Sequence, residues 1–198
     1  PYMHEVLRLK GLIIEDDMGN ERILIGSPVP QANNRIRTDT NRIKETWGKR
    51  MGSDYMKWYK TYAHHTNGIL ILDEEGWDRI AIGDPVPDPI IGHRIGPSTG
   101  LVFNDDSGLE RSGYGLLDVD SELRVVLGLD HANGTEGVAL SVLPDGSVGV
   151  YLDSDENSIF LGSVRPDHWK SPDDKDFTGL IFRDKEGAER IITASERQ

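Results

Sequence analysis

The sequence predicts an all-β protein built as an antiparallel meander of hairpins, with one helical insertion. Three observations lead to this fold class. Four segments repeat one pattern, short apolar runs alternate with turn sequences through the middle of the chain, and one stretch has the period of a helix. The repeated segments are 11–26, 68–83, 100–115 and 179–194, each sixteen residues long.

Each repeat is predicted to be one β-hairpin. It opens with Gly and three apolar residues. Counting places after that Gly, which is place zero, an Asp stands at the fifth place, a second Gly at the eighth, an acid at the tenth and an Arg at the eleventh. In the first copy these residues are Asp16, Gly19, Glu21 and Arg22. The apolar run favours a strand, and Asp-x-x-Gly favours a type I turn closed by a left-handed glycine.

The repeated Arg is predicted to lie at the surface. Pairing the two strands by counting places it opposite the apolar residue at the third place and diagonal to the Asp. An ion pair with that Asp is the ordinary role of an Arg in this position, and an anion site made of stacked arginines is the alternative.

Residues 100–162 continue the meander with shorter hairpins at 115–128 and 149–162, and with a turn at Pro144-Asp145-Gly146. About seven short strands are expected here and about thirteen in all, which is too many for a flat sheet. We therefore expect a single domain over 1–198 that forms a closed or nearly closed antiparallel barrel. A small propeller or a hairpin solenoid is the second expectation.

A helical insertion is predicted at 31–65, with its helix over about 39–63 and a break at Gly52. Apolar residues recur every three or four positions along one face: Ile43, Trp47, Met51, Tyr55, Trp58 and Tyr62. A lid or plug that packs this aromatic stripe on the sheet is the first interpretation. A contact between protomers or a helix that binds a partner is the second, and a nucleic-acid-binding arm is the third.

The net charge of −12 argues against nucleic acid and anionic membranes as partners. Residues 35–60 carry +5, so the rest of the chain, the difference from −12, carries −17. Membrane insertion is not expected, because no apolar run reaches the length of a spanning helix. The lack of cysteine excludes disulfides and thiolate sites, and it favours an exported or periplasmic bacterial protein over a cytoplasmic one. A removed leader would fit the start at Pro1.

The long connections are expected to share one end of the sheet, which is where small barrels commonly bind ligands. A His beside a carboxylate is suited to acid–base catalysis near neutral pH. The candidate catalytic residues are His64, His65, Asp84 and His93. The candidate ligand-binding residues are Trp47, Tyr55, Trp58, Tyr62, Asp88 and Arg94. Strand alternation also puts His131 at this end and His168 at the opposite one.

A calcium site is considered at Asp153, Asp155 and Asn157, because alternating oxygen ligands open an EF-hand loop. The Gly at the sixth place and the Glu at the twelfth place of such a loop are replaced by Ser158 and Val164. An acidic hairpin turn is therefore the alternative. No other cofactor is predicted.

The tandem Asp-x-x-Gly-x-x-Arg hairpins resemble a loose group of uncharacterised bacterial proteins, many of which look exported. The resemblance covers 11–26 and roughly 68–194, but not the helical insertion. It implies a repeat architecture and no activity, cofactor or substrate.

The expected function is a non-catalytic scaffold that binds a ligand, a partner or itself as a homo-oligomer, through its long-connection end and aromatic helix. The alternative is a small barrel enzyme, an isomerase, cyclase or hydrolase, with its site at the same end.

Overall fold

The computed structural model describes residues 7–154 and 156–194. Twelve strands form one antiparallel sheet in which each strand pairs with its neighbours in the sequence, so the all-β meander is confirmed. The strands are β1 Gly11–Glu15, β2 Glu21–Gly26, β3 Gly68–Leu72, β4 Asp78–Gly83, β5 Ser98–Asn104, β6 Glu110–Val119, β7 Glu122–Asp130, β8 Glu136–Val142, β9 Val148–Asp153, β10 Ser158–Val164, β11 Phe177–Arg183 and β12 Glu189–Thr193.

The sheet is open, and the expected barrel closure is not confirmed. In the described part of the chain, β1 and β12 each pair on one side only. Six strands lie between residues 98 and 164, whereas about seven were expected. Because one strand fewer is present, the strands that follow run in the opposite direction to the one expected. The expected placements of His131 and His168 are therefore wrong. His131 lies at the end with the tight turns, and His168 lies in the long β10–β11 connection.

The turn chemistry of the repeats is confirmed. Oδ1 of Asp16 accepts hydrogen bonds from the backbone N–H groups of Met18 and Asn20, at 3.0 and 2.9 Å. The N–H of Asn20 is the main reason why the pKa of Asp16 falls to about 2. Gly19 has a φ of +83°, which favours glycine. The other copies use the same device, at Asp73 with Gly76, Asp105 with Gly108 and Asp184 with Gly187.

The expected strand register is wrong in the first three copies, because the repeated Arg is the extra residue of a β-bulge. Ile14 pairs with Ile23 and Glu15 pairs with Glu21, which leaves Arg22 without a partner residue in β1. In the fourth copy Phe182 pairs with Arg190, as counting predicts.

The bulged Arg links each hairpin to the next one. Nη1 of Arg22 lies 3.2 Å from Oδ2 of Asp16, which is the expected ion pair, and its Nε donates to the carbonyl oxygen of Leu72 in β3 at 3.1 Å. Arg79 and Arg111 likewise pair with the Asp of their own repeat and donate to a carbonyl of the following hairpin. The bulge thus directs this side chain across to the neighbouring unit.

The helical insertion crosses one face of the sheet, which we call the insertion face. Its helical segments are Ile36–Thr38, Thr40–Ile43, Lys44–Gly48, Lys49–Met51 and Tyr55–Tyr59, so they end earlier than expected. Asp39 caps the run that begins at Thr40 by accepting from the N–H of Asn41. Gly52, with a φ of +92°, ends that run. None of the helices within the described residues is long and apolar enough to cross a membrane.

Two apolar clusters hold the insertion on β2–β5. The first cluster contains Leu24, Leu70 and Val102 of the sheet together with buried Val29 and Val86, each of which stands between two prolines after β2 or β4. Most of the predicted stripe lies in the second cluster, which contains Ile36, Ile43, Trp47, Tyr55, Tyr59, Tyr62, Trp77, Ile90 and Leu109. The prediction is wrong for Met51 and Trp58, which are exposed, and Tyr59 is buried instead of Trp58. The insertion therefore packs these side chains against the sheet, as a lid would.

A third cluster lies at the other side of the insertion face, on β10 and β11. Phe160, Val164, Phe177 and Ile181 are buried there. Nearby, the ammonium group of Lys170 lies 4.1 Å from the ring centres of Tyr151 and of Trp169. Between the two covered regions, β6–β8 contribute only small residues to the central row of this face: Gly113, Gly128 and Ala139.

Candidate functional site

The structure brings two of the candidate catalytic histidines to one aromatic side chain. The ring centres of His93 and His64 lie 4.4 and 6.5 Å from that of Tyr62. Nε2 of His64 lies 3.0 Å from the carbonyl oxygen of Tyr59, to which it donates when the ring is neutral. Burial and the nearby Arg37 guanidinium lower the pKa of His64 to about 4. At neutral pH the ring is therefore uncharged, and its buried Nδ1 has no hydrogen-bond partner in the described residues.

The candidate carboxylates lie in different surroundings. Asp88 joins the end of the insertion to the β4–β5 connection, because Oδ2 accepts from the N–H of Ala63 at 2.7 Å and Oδ1 from that of Arg94 at 3.1 Å. Nδ1 of His93 lies 3.4 Å from the same Oδ2. Asp84 is exposed and accepts from the hydroxyl of Thr99. His65 is exposed.

The aromatic residues considered for ligand binding are mostly core residues. Trp47 and Tyr55 are 2% exposed, and their polar atoms donate to the carbonyl oxygens of Ser107 and Ile90. Tyr62 is buried and its hydroxyl accepts from the N–H of Gly92. Trp58 is 62% exposed. Of these four, only Trp58 offers a large apolar surface to solvent.

The calcium hypothesis remains a prediction. Asp155 lies outside the described residues. The carboxylate of Asp153 accepts from the hydroxyl of Tyr151, and the backbone of Asn157 closes the turn with Ser154. Within 7–154 and 156–194, no three His, Asp or Glu side chains are grouped in a way that would hold a metal ion.

A cavity of about 270 Å³ lies on the insertion face over β5–β8, and we call it the glycine-floored pocket. Its floor is made of the small residues Gly113, Gly115, Gly128 and Ala139. Ile91 and Leu109 provide apolar wall, and Arg94 and three acidic residues provide polar wall. Because these floor residues are only glycine and alanine, the gap between the two covered regions leaves room for a small molecule.

The three acidic residues are Glu110, Asp130 and Glu136, and among the described side chains only Glu110 of these three has a close cationic partner. Nη2 of Arg94 lies 2.7 Å from Oε2 of Glu110, with both side chains largely buried. Asp130 and Glu136 face each other as a directly paired residue pair at the end of β7 and β8. A Cβ at position 128 would lie 2.6 Å from Oε1 of Glu136, so that carboxylate lies directly over the glycine floor.

Electrostatics disfavour a charged Glu136 in this pocket. Burial of its carboxylate, followed by the charges of Asp130 and Glu110, raises the pKa of Glu136 to about 7. Burial also raises the pKa of Glu110 and of Asp130, against the effect of nearby arginines. None of the described residues donates a hydrogen bond to the Glu136 carboxylate, although residue 136 itself is exposed at its strand end. The pocket therefore contains an acid that is poised to gain or lose a proton near neutral pH.

Comparison of the chain with protein-family models, with curated proteins and with solved structures finds no match. The site must therefore be interpreted from its own geometry.

Sequence reasoning identified Arg94 but not the carboxylates around it. Glu110 was recognised only as the acid at the tenth place of the third repeat, and Asp130 and Glu136 carried no signal. The informative feature is the register of β7 and β8, which sets two acids opposite each other. Like charges in that arrangement are unfavourable, which makes the pair noticeable once the strands are aligned.

Proposed function

We propose that this protein is a non-catalytic β-repeat scaffold that holds a small organic cation in its glycine-floored pocket. The repeats supply a rigid sheet, and the β4–β5 connection and the insertion supply the walls that differ from repeat to repeat. The observation that carries the proposal is the unpartnered Glu136 carboxylate over the bare floor at Gly128.

Charge supports a cation as the ligand. Three carboxylates and one guanidinium line the cavity, so its formal charge is negative when all are ionised. The carboxylates are not arranged to hold a metal ion within the described residues. An ammonium or guanidinium group with a short carbon chain would pair with Glu136 and Asp130 and pack its chain against Ile91 and Leu109.

One observation favours a catalytic alternative at the same place. A carboxyl with a pKa of about 7 is suited to general acid–base catalysis, and Arg94 lies in the same cavity as Glu136 and could orient an anionic group. An isomerase, cyclase or hydrolase would use Glu136 in this way. The histidine and Asp84 set considered from sequence has less support, because the low pKa of His64 makes it a weak base.

The test is a binding titration with three probes that share one carbon skeleton: butylammonium, butanol and butyrate, measured by ligand-observed NMR. We expect saturation transfer to butylammonium, weaker transfer to butanol and none to butyrate. Binding of butylammonium should strengthen as the pH rises through about 7, because ionisation of Glu136 completes the site.

Matched variants locate the binding. Gly128→Val fills the floor and Glu136→Gln removes the charge, so both should weaken the butylammonium signal. Glu122→Gln, at the exposed first residue of β7, removes the same charge away from the pocket and should leave the butylammonium signal unchanged. Preferential binding of butyrate, or butylammonium binding that survives both pocket variants, would contradict the proposal.

A further inference from the structure

The face of the sheet opposite the insertion, which we call the open face, carries an uninterrupted apolar row. Directly paired residues lie on the same face of a sheet, so the register traces rows across all twelve strands. The first row is apolar throughout: Leu12, Ile25, Ile69, Ile82, Leu101, Tyr114, Leu127, Leu140, Val150, Leu161, Leu180 and Ile192.

A second row runs parallel to the first, two residues closer to the tight-turn end of each strand. It contains Ile14, Ile23, Ile71, Ile80, Phe103, Ser112, Leu129, Val138, Leu152, Ile159, Phe182 and Arg190. None of the residues in either row is buried, and several stay half-exposed, such as Tyr114 at 58%, Leu161 at 56% and Leu140 at 39%. The single charged residue of the two rows is Arg190, on the edge strand.

The size of this surface exceeds what a soluble monomer normally exposes. Twelve strands about 4.8 Å apart span about 53 Å, and two rows of side chains add a width of about 14 Å. The resulting patch is about 740 Å², against about 300–600 Å² for the largest patch of a typical monomer. A stable protein–protein interface buries about 800 Å² on each partner, so the open face has the area of one complete interface.

We propose that the open face is covered by the open face of a second copy of this chain, which forms a two-layer sandwich. Two identical sheets have the same twist along their whole length, so they can stack with nearly aligned strands over all twelve. The two rows are nearly free of charge, so a two-fold arrangement brings no like charges together at the centre. The acidic net charge of each copy lies elsewhere, and because salt screens it, the dimer should strengthen with ionic strength.

This proposal is independent of the ligand proposed for the insertion face, and the oligomeric state tests it. In sedimentation velocity, the wild-type protein should have a mass of about 44 kDa, twice the 22.1 kDa of one chain. Leu140→Lys and Leu161→Lys each place a charge in the middle of the contact, and either should shift the protein to about 22 kDa.

The control is Ile191→Lys, on β12, because Ile191 is 42% exposed but lies in the row of the insertion face. It should remain a dimer. All three side chains are solvent-exposed in an isolated copy of the chain, so the substitutions do not disturb its core. Circular dichroism should therefore show a folded sheet for each variant. A wild-type monomer at high micromolar concentration, a trimer, or a dimer that survives both open-face substitutions would overturn the proposal. A complex that contains a different protein on this face would do the same.

Discussion

Removing the negative charge of Asp78 should destabilise the protein strongly. Removing the charge of the acid at the same place in the fourth repeat should not. Asp78 occupies the tenth place of the second repeat, and the helical insertion covers it. Its carboxylate accepts from Nε and Nη2 of Arg35 at 2.7 and 2.5 Å, and both side chains are 4% exposed. The Arg35 charge lowers the pKa of Asp78 against the opposing effect of burial.

The magnitude follows from what Asp78→Asn leaves behind. The amide keeps the shape of the carboxylate, but the Arg35 guanidinium is then a buried cation with no counter-charge, and buried Arg37 adds repulsion. Removing one partner of a buried ion pair costs about 3–5 kcal/mol. With a urea dependence of about 1–3 kcal/mol per M, the unfolding midpoint should fall by about 1 M or more.

Glu189→Gln is the matched control, since Glu189 is the tenth-place acid of the fourth repeat. Its partner Arg183 is 50% exposed, and exposed pairs of this kind contribute about 0–1 kcal/mol. Urea unfolding followed by tryptophan fluorescence compares the two variants, with buried Trp47 and Trp77 reporting on the insertion. Equal losses in the two variants, or a loss below about 1 kcal/mol for Asp78→Asn, would refute the view that the insertion makes this pair structural.

Three further substitutions test the strand contacts and the pocket. Glu136→Gln should raise the melting temperature at about pH 8 and leave it nearly unchanged at about pH 4. The reason is that the raised pKa of Glu136 makes the folded protein lose stability as the pH rises from about 4.5 through 7, and the amide does not have this cost. The opposite pH trend would contradict the burial of its carboxylate. Gly100→Ala should cost about 1–3 kcal/mol in urea unfolding, because its Cβ would lie 2.2 Å from the carbonyl oxygen of Tyr114, whereas Gly113→Ala meets only a flexible side chain and should cost less. Arg79→Lys should lower the free energy of unfolding by about 0.5–1.5 kcal/mol, because lysine lacks the Nε that donates to the carbonyl oxygen of Asn104. An unchanged free energy would argue against the link between hairpins.

Much of the fold could be predicted because the repeats carry local signals. Asp and Gly at fixed places determine the turn, and the alternation of apolar residues determines the strand. The bulge at Arg22 could not be predicted by counting along the repeat, because an extra residue in one strand does not change the pattern of apolar and turn residues. The closure of the sheet depends on contacts between the first and last strands, and no local pattern contains that information.

The site was less predictable, because its residues come from separate strands and become neighbours only through register. Asp130 and Glu136 look like ordinary acids at the end of a turn. Burial, followed by the charge of Asp130 across β7 and β8, raises the pKa of Glu136. The aromatic stripe was visible as a periodicity, but whether Trp47 faces a ligand or the core depends on how the insertion lies on the sheet. The open face was equally hard to predict, because each strand contributes one residue to each row and only the register brings those residues together.

The central claim is that the two faces of one sheet have different roles, one holding a small cation and the other a second copy. Native mass spectrometry of the wild-type chain with added butylammonium tests both roles in one spectrum. The account predicts a species at twice the 22.1 kDa chain mass that carries two bound cations, one for each pocket. A bare monomer that retains no cation, with the chain folded, would contradict it.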